Sequence, residues 1–182
     1  SVQLAKDWQA RQYLDEYLLT PTAHDLAMQI ITELQKSKGD RAWSITGPYG
    51  TGKSAFALFL TDLFSQNPPT HPGARALRVE SKLDSRSFIP VLIQGQRSPI
   101  APVFLSSLAD SLQKIAPSLA RDISEISTKS QISDQEIVLL VEESSKTIEA
   151  AGHGGLLFVI DEFGKFLEYT AMYPENGDLM VM

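Results

Sequence analysis

The chain has 182 residues, 43% of them hydrophobic and 21% charged, which is the make-up of an ordinary soluble globular domain with room for one proper core. A formal net charge of −6 argues against a broad nucleic-acid-binding face on this segment, while leaving room for a local basic patch or a DNA-binding region elsewhere. With no cysteine, disulfides, thiolate metal sites and cysteine nucleophiles are excluded, which fits a cytoplasmic location.

Residues 1–20 mix Lys6, Asp7, Arg11, Asp15 and Glu16 with apolar residues, unlike a signal peptide, and apolar runs such as Leu156 to Ile160 are far too short to span a membrane. Residues 4–19 place Leu4, Trp8, Tyr13, Leu14, Tyr17 and Leu18 at roughly helical spacing, with both tryptophans, Trp8 and Trp43, read as core. After Thr20-Pro21 a second helix is expected, with Thr22 as its cap and Leu26, Ile30, Ile31 and Leu34 inward. Residues 1–40 therefore read as an N-terminal helical segment packing on a core that occupies 41–182. Ala42 to Thr46 reads as a short strand. A helix follows from Lys53 to about Phe64, largely buried by its Phe and Leu residues.

Three prolines and a glycine make 67–73 an irregular loop, with His71 at the surface. A weak strand is expected over Leu77–Glu80 and a clearer one over 88–93, with Pro90 at its start or on an edge. A helix runs from Val103 to Ile115. Residues 117–130 are serine-rich and poorly periodic, and a helix over 133–150 starts from a Ser133 cap with Glu136 three residues on. The stretch 100–150 thus reads as a helical insertion. Leu156 to Ile160 is a continuous apolar strand of the kind buried on both faces of a parallel sheet, and Phe163 to Tyr169 is a short helix. Alternating strands and helices predict an α/β three-layer sandwich with a mainly parallel sheet, its strand C-termini and its site on one edge.

Between the strand at 42–46 and the helix at 53 lies Gly47-Pro48-Tyr49-Gly50-Thr51-Gly52-Lys53-Ser54, the phosphate-loop (P-loop) pattern Gly-x₄-Gly-Lys-Ser. Its glycines let backbone N–H groups point at phosphates, and the helix that starts there adds its dipole. Gly47 through Ala55 are the expected nucleotide-binding residues. Lys53 reaches the β- and γ-phosphates, and the Ser54 hydroxyl is a ligand for Mg²⁺. The second motif is Asp161-Glu162, at the carboxyl end of the apolar strand. There Asp161 can hold the Mg²⁺ shell and Glu162 can polarise an attacking water, which makes Lys53 and Glu162 the expected catalytic pair. ATP and Mg²⁺ are the expected substrate and cofactor.

The Asp-Glu pair resembles the Walker B motif of the ATPase division that includes AAA+, Orc/Cdc6-like and STAND proteins. No Asn-Lys-x-Asp of GTPases is present. The stretch Val159-Ile160-Asp161-Glu162-Phe163-Gly164-Lys165-Phe166-Leu167-Glu168 is similar to ATPases of large bacterial multidomain proteins, some of them from phage-defence islands. The resemblance implies Mg²⁺-dependent ATP hydrolysis by the full-length protein, coupled to a conformational change, with this piece at best binding ATP weakly, and with partners among flanking domains, other copies of the chain or DNA reached through other regions. A nucleotide-gated scaffold without turnover and a P-loop kinase are the rival readings.

That family's sheet runs in the order 5-1-4-3-2, with polar sensors, an arginine finger and a lid downstream of the Walker B strand. The chain starts at Ser1 and stops at Met182 inside what reads as a new element, so it reads as an N-terminal fragment with the sheet incomplete at its C-terminal end. The same resemblance marks Tyr17 to His24 as an adenine-contacting segment, with a plain helix–helix turn as the equal alternative. Arg97, in the loop after 88–93, faces solvent, a phosphate or a neighbouring subunit. Tyr49 either covers the nucleotide or faces solvent. His71 and His153 lack a second ligand at metal spacing.

Overall fold

The computed structural model describes residues 4–10 and 12–173, so the new element expected at the chain's end lies outside the described residues. The architecture is mixed α/β, and it divides into two compact units at the Ser87–Phe88 junction.

The first unit is helical: α1 (Leu4–Ala10), α2 (Gln12–Asp15), α3 (Pro21–Gln35), α4 (Lys53–Ser65) and α5 (Pro72–Ser81). Helix α3 starts at Thr20, not Thr22. The Thr20 side chain accepts the Ala23 N–H at 3.3 Å, and Pro21 fills the first helical position, where no N–H is needed. At its other end Arg41 donates to the carbonyls of Glu33 at 2.8 Å and Lys36 at 2.7 Å, which satisfies acceptors the helix leaves open.

Helix α4 is buried nearly all round. Its Phe56, Leu58, Phe59, Leu63 and Phe64 are buried in the core of this unit, as are Ile30 and Ile31 of α3 and Leu77 of α5. Each such side chain contributes about 1.5–3 kcal/mol. The same helix buries Asp62, whose carboxylate accepts the N–H groups of Thr70 at 2.9 Å and His71 at 2.8 Å. A buried carboxylate is tolerable only when it is hydrogen-bonded in this way.

Two expected strands are absent here. Residues 42–46 form no strand, because a strand exists through its ladder and the described residues of this unit offer no partner. Trp43 is half-buried rather than core, and its indole N–H lacks a hydrogen-bond partner. Residues 77–80 lie in α5. Pro72 opens that helix, and Ala74, Leu77 and Arg78 form its buried stripe, while Val79 is exposed. The apolar pattern at 77–80 was half of a helical face. Helix α5 also takes Pro72 and Gly73 out of the expected irregular loop.

The second unit contains β1 (Phe88–Gln94), α6 (Ile100–Leu112), α7 (Pro117–Ser127), α8 (Asp134–Ala150), β2 (Gly155–Asp161) and α9 (Gly164–Met172). Strands β1 and β2 are parallel neighbours, with Val91 opposite Phe158 and Gln94 opposite Asp161. Ile89, Val91, Ile93, Leu156 and Phe158 join one core with Leu105 and Leu108 of α6, Ile123 of α7, Ile148 of α8 and Phe166 of α9. Phe104 stacks on Phe158 with ring centroids 4.9 Å apart.

Helix α7 replaces the irregular 117–130 stretch. Pro117 starts it, and Ala120 and Ile123 are its buried turn-to-turn contacts. Ser133 caps α8 as expected, accepting the Glu136 N–H at 3.2 Å. Strand β2 is not buried on both faces: Leu157 and Val159 are half-buried and Ile160 is exposed. Among the described residues the sheet has these two strands, and neither unit by itself holds a three-layer sandwich.

Candidate functional site

The P-loop lies in the first unit. Gly52 sits at φ 82°, ψ 13° as the residue before α4, a left-handed conformation that costs a side-chain-bearing residue and suits glycine. It turns the chain into α4, so Lys53 and Ser54 fall in the first helical turn, at the positive end of the helix dipole. The Phe56 N–H closes the first helical bond on the Gly52 carbonyl at 2.9 Å.

The Lys53 ammonium bends back over the loop and donates to the carbonyls of Gly47 at 2.9 Å and Pro48 at 2.7 Å. The Thr51 hydroxyl also donates to the Pro48 carbonyl, at 2.9 Å. Residues 47–52 are exposed, Tyr49 most of all at 90%, while Ala55 is buried beneath them.

Beside the loop, within the same unit, a cleft of about 690 Å³ is lined by Tyr17, Thr20, Thr22, Ile45, Lys53 and Phe56 among others. The segment from Tyr17 to His24 therefore shares a cavity with the P-loop lysine. His71 holds that segment from below and is a buried residue, 9% exposed, not a surface one. Its Nε2–H donates to the Tyr17 carbonyl at 2.9 Å, while its Nδ1 accepts the Gly73 N–H at 3.0 Å. These two bonds fix the tautomer. The ring also meets Phe59 edge-on, with centroids 5.2 Å apart.

Asp161 and Glu162 lie in the second unit, at the carboxyl end of β2. The Gly95 N–H, just past β1, donates to the Asp161 carbonyl at 2.8 Å. One Asp161 carboxylate oxygen accepts the Glu162 N–H at 2.9 Å. Glu162 has φ 53°, a left-handed value that is rare outside glycine and turns the chain sharply from strand to helix.

Its carboxylate oxygen Oε2 accepts from Gln94 Nε2 at 2.9 Å and from Lys165 Nζ at 2.5 Å. The Lys165 hydrogen bond is the largest of the effects that hold the Glu162 carboxyl below the usual carboxylate range; the Gln94 bond adds to it and burial opposes it. Glu162 therefore remains ionised through the neutral pH range.

Gln94, Gly95 and Lys165 were not singled out from the sequence. Lys165 stands three residues after Glu162, a spacing at which helical side chains meet, and that signal was available. Gln94 gains its place through the β1–β2 register, which no local pattern reveals. Arg97 pairs with Glu168 at 3.1 Å, both exposed. His153 is half-buried.

No family model, curated protein or solved structure matches the chain.

The expected metal ligands, Ser54 and Asp161, are both oxygen donors of the kind Mg²⁺ prefers. No group of three or more His, Cys, Asp or Glu residues able to hold a metal occurs among the described residues. None of the described helices is long and apolar enough to cross a membrane.

Proposed function

We propose that the protein binds ATP with Mg²⁺ and, in its working form, hydrolyses it to drive a conformational change. The observation that carries the reading is the turn at Gly52: a left-handed glycine opens a helix whose first residues are Lys53 and Ser54, with Gly47-Pro48-Tyr49-Gly50-Thr51 leading into it. This is a cradle that suits anionic phosphate through backbone N–H groups, a helix N-terminus and one ammonium. The adjoining cleft offers Tyr17, Ile45 and Phe56 as apolar walls for a base, with Thr20 and Thr22 as polar points.

In this reading Lys53 exchanges its two loop carbonyls for phosphate oxygens. Ser54 of the first unit and Asp161 of the second would be the protein oxygens offered to Mg²⁺, which would neutralise phosphate charge. Glu162 would accept a hydrogen bond from the attacking water and take its proton as the new P–O bond forms on the γ-phosphorus and the bond to the β,γ-bridging oxygen breaks, ADP leaving with that oxygen. The three-layer sandwich of P-loop ATPases belongs to this proposal, as does a role in DNA-associated or defence machinery.

Binding of a fluorescent ATP analogue tests the first half. Lys53→Ala is expected to weaken it at least tenfold, as loss of a charge-assisted contact worth about 1.5–3 kcal/mol requires. Equal affinity of Lys53→Ala and the parent chain would remove the P-loop from the reading. Glu162→Gln tests the second half: it is expected to retain nucleotide while losing phosphate release. A variant that hydrolyses as fast as the parent would favour a nucleotide-binding scaffold, and phosphate transfer to a small acceptor rather than water would favour a kinase.

A further inference from the structure

We propose that His71 is a positioning residue for the cleft beside the P-loop: its ring fixes the chain at Tyr17, so that the wall a base would meet is set before a ligand arrives. What the wall does rests on the reading of this cleft as a nucleotide site; how the wall is held rests on geometry alone.

The hold starts at α4, the helix that Lys53 opens. Further along it, the buried Asp62 carboxylate accepts the N–H groups of Thr70 at 2.9 Å and His71 at 2.8 Å. Arg75 of α5 donates to the Pro69 and Thr70 carbonyls at 3.0 and 2.8 Å. The backbone that carries His71 is therefore tied both to the helix of the P-loop and to α5.

The ring is fixed in turn. Its Nδ1 accepts the Gly73 N–H at 3.0 Å. A Cβ at position 73 would stand 3.1 Å from ring atoms Cε1 and Nδ1 and 3.1 Å from Leu19 Cδ2, so the ring and Leu19 close over a glycine. The other ring nitrogen, Nε2–H, donates to the Tyr17 carbonyl at 2.9 Å. Ring contacts continue the connection. The fully buried Phe59 has its centroid 5.2 Å from both Tyr17 and His71 and 6.3 Å from Phe56. Tyr17 and Phe56 line the cleft, so this cluster runs from His71 to the cleft wall.

One bond carries most of the hold. The segment from Tyr17 to His24 meets α5 a second time, where His24 Nε2 lies 3.3 Å from the Glu80 carboxylate. Those side chains are 36% and 55% exposed, and a contact of that kind contributes little. The His71 ring is largely screened from water, and a donor left unpaired there costs more than its bond is worth. Tyr17, Thr20 and Thr22 share the cleft with Lys53. A base that meets a wall already in place does not have to order it. The His71 bond should therefore favour ligands that carry a base and be silent toward phosphate alone.

Two substitutions in the 182-residue chain divide the ring's two bonds. In His71→Asn the side-chain oxygen stands near the place of Nδ1 and keeps the bond to Gly73, while nothing reaches Tyr17. In His71→Gln the amide N–H reaches as far as Nε2, and the bond to Gly73 is lost. Circular dichroism and a thermal melt establish that both are folded. NMR shift titrations, which read dissociation constants into the millimolar range, compare Mg²⁺–ATP with Mg²⁺–tripolyphosphate. Hydrogen exchange follows residues 17–24. His71→Asn is expected to speed that exchange and to weaken ATP about threefold to tenfold, with tripolyphosphate within about twofold of the parent. His71→Gln is expected to restore most of both. In the parent, ATP and not tripolyphosphate should slow exchange at 17–24.

Unchanged exchange in His71→Asn overturns the hold. Faster exchange with ATP and tripolyphosphate weakened alike, or with both unchanged, overturns the positioning role and leaves His71 as a structural residue. Should a variant fail to fold, the parent decides: binding of ATP with no response at 17–24 overturns the proposal and leaves the P-loop reading standing. A parent chain that binds neither ligand removes the ATP reading itself, and the positioning role with it.

Discussion

At the scale of single residues, Gly95 shows how a side chain's absence organises chemistry. The end of β1 and the turn after β2 approach so closely that a methyl group at 95 would overlap the Glu162 carbonyl, a backbone atom that cannot rotate away. Gly95→Ala must therefore push the two strand ends apart or break the 2.8 Å bond to Asp161. Overpacking of this kind costs about 1–3 kcal/mol. The expected result is a lower urea midpoint with an unchanged slope, together with a Glu162 titration that moves toward the ordinary value as Gln94 and Lys165 lose their convergence. An unchanged midpoint would show that the contact is slack. Lys53 illustrates the other limit of residue-level reading. Its presence and its place at a helix start are plain in the sequence, whereas its bonds to the Gly47 and Pro48 carbonyls depend on how the loop folds over itself.

At the scale of elements, helix caps separate what local chemistry decides from what neighbours decide. The hydroxyls of Thr20 and Ser133 each satisfy an N–H that their helix leaves open, whereas Thr22 lies inside α3. Thr20→Ala and Ser133→Ala are each expected to cost about 1 kcal/mol, with Thr22→Ala within about 0.5 kcal/mol of the parent. Chemical denaturation of the three variants checks the ranking, and a loss at Thr22 equal to that at Thr20 would contradict the cap assignment. Strong apolar periodicity made α3, α4, α6 and α8 legible, and the run Leu156 to Ile160 made β2 legible. Two helices were not. In α5 the buried face includes Arg78, whose guanidinium donates to the Gln66 carbonyl at 2.6 Å and to the Asp84 carbonyl, so a charged residue occupies an inward position that hydropathy marks as outward. In α7 the buried Ala120 and Ile123 are thinly spread among Ser, Arg, Asp and Glu. The segment 42–46 failed for a different reason. Its residues suit a strand, yet a strand is a property of a pair, and pairing lies beyond the reach of local sequence.

At the scale of the whole molecule, a net charge of −6 opposes the approach of a polyanionic nucleotide. Under the proposed function the P-loop would act locally, through Lys53, helix N–H groups and a counter-ion, against the average field. Two consequences follow for binding. Free ATP should bind more weakly than its Mg²⁺ complex, and the difference should depend on Asp161 if that carboxylate shares in holding the ion. A ligand that binds only the folded chain stabilises it by about 2.7 kcal/mol at a hundred times its Kd. For a chain of this size that corresponds to a rise of roughly 5–10 °C in the melting temperature. The parent chain is expected to show that rise with Mg²⁺–ATP, Lys53→Ala to show none, and Asp161→Asn to keep the rise given by ATP alone while losing the Mg²⁺-dependent part. Because Lys53 must leave two carbonyls before it meets phosphate, the gain is the difference between charge-assisted bonds to an anion and bonds to neutral acceptors, which favours the anion. A melting temperature indifferent to nucleotide at saturating concentration would mean that the loop keeps its lysine for itself.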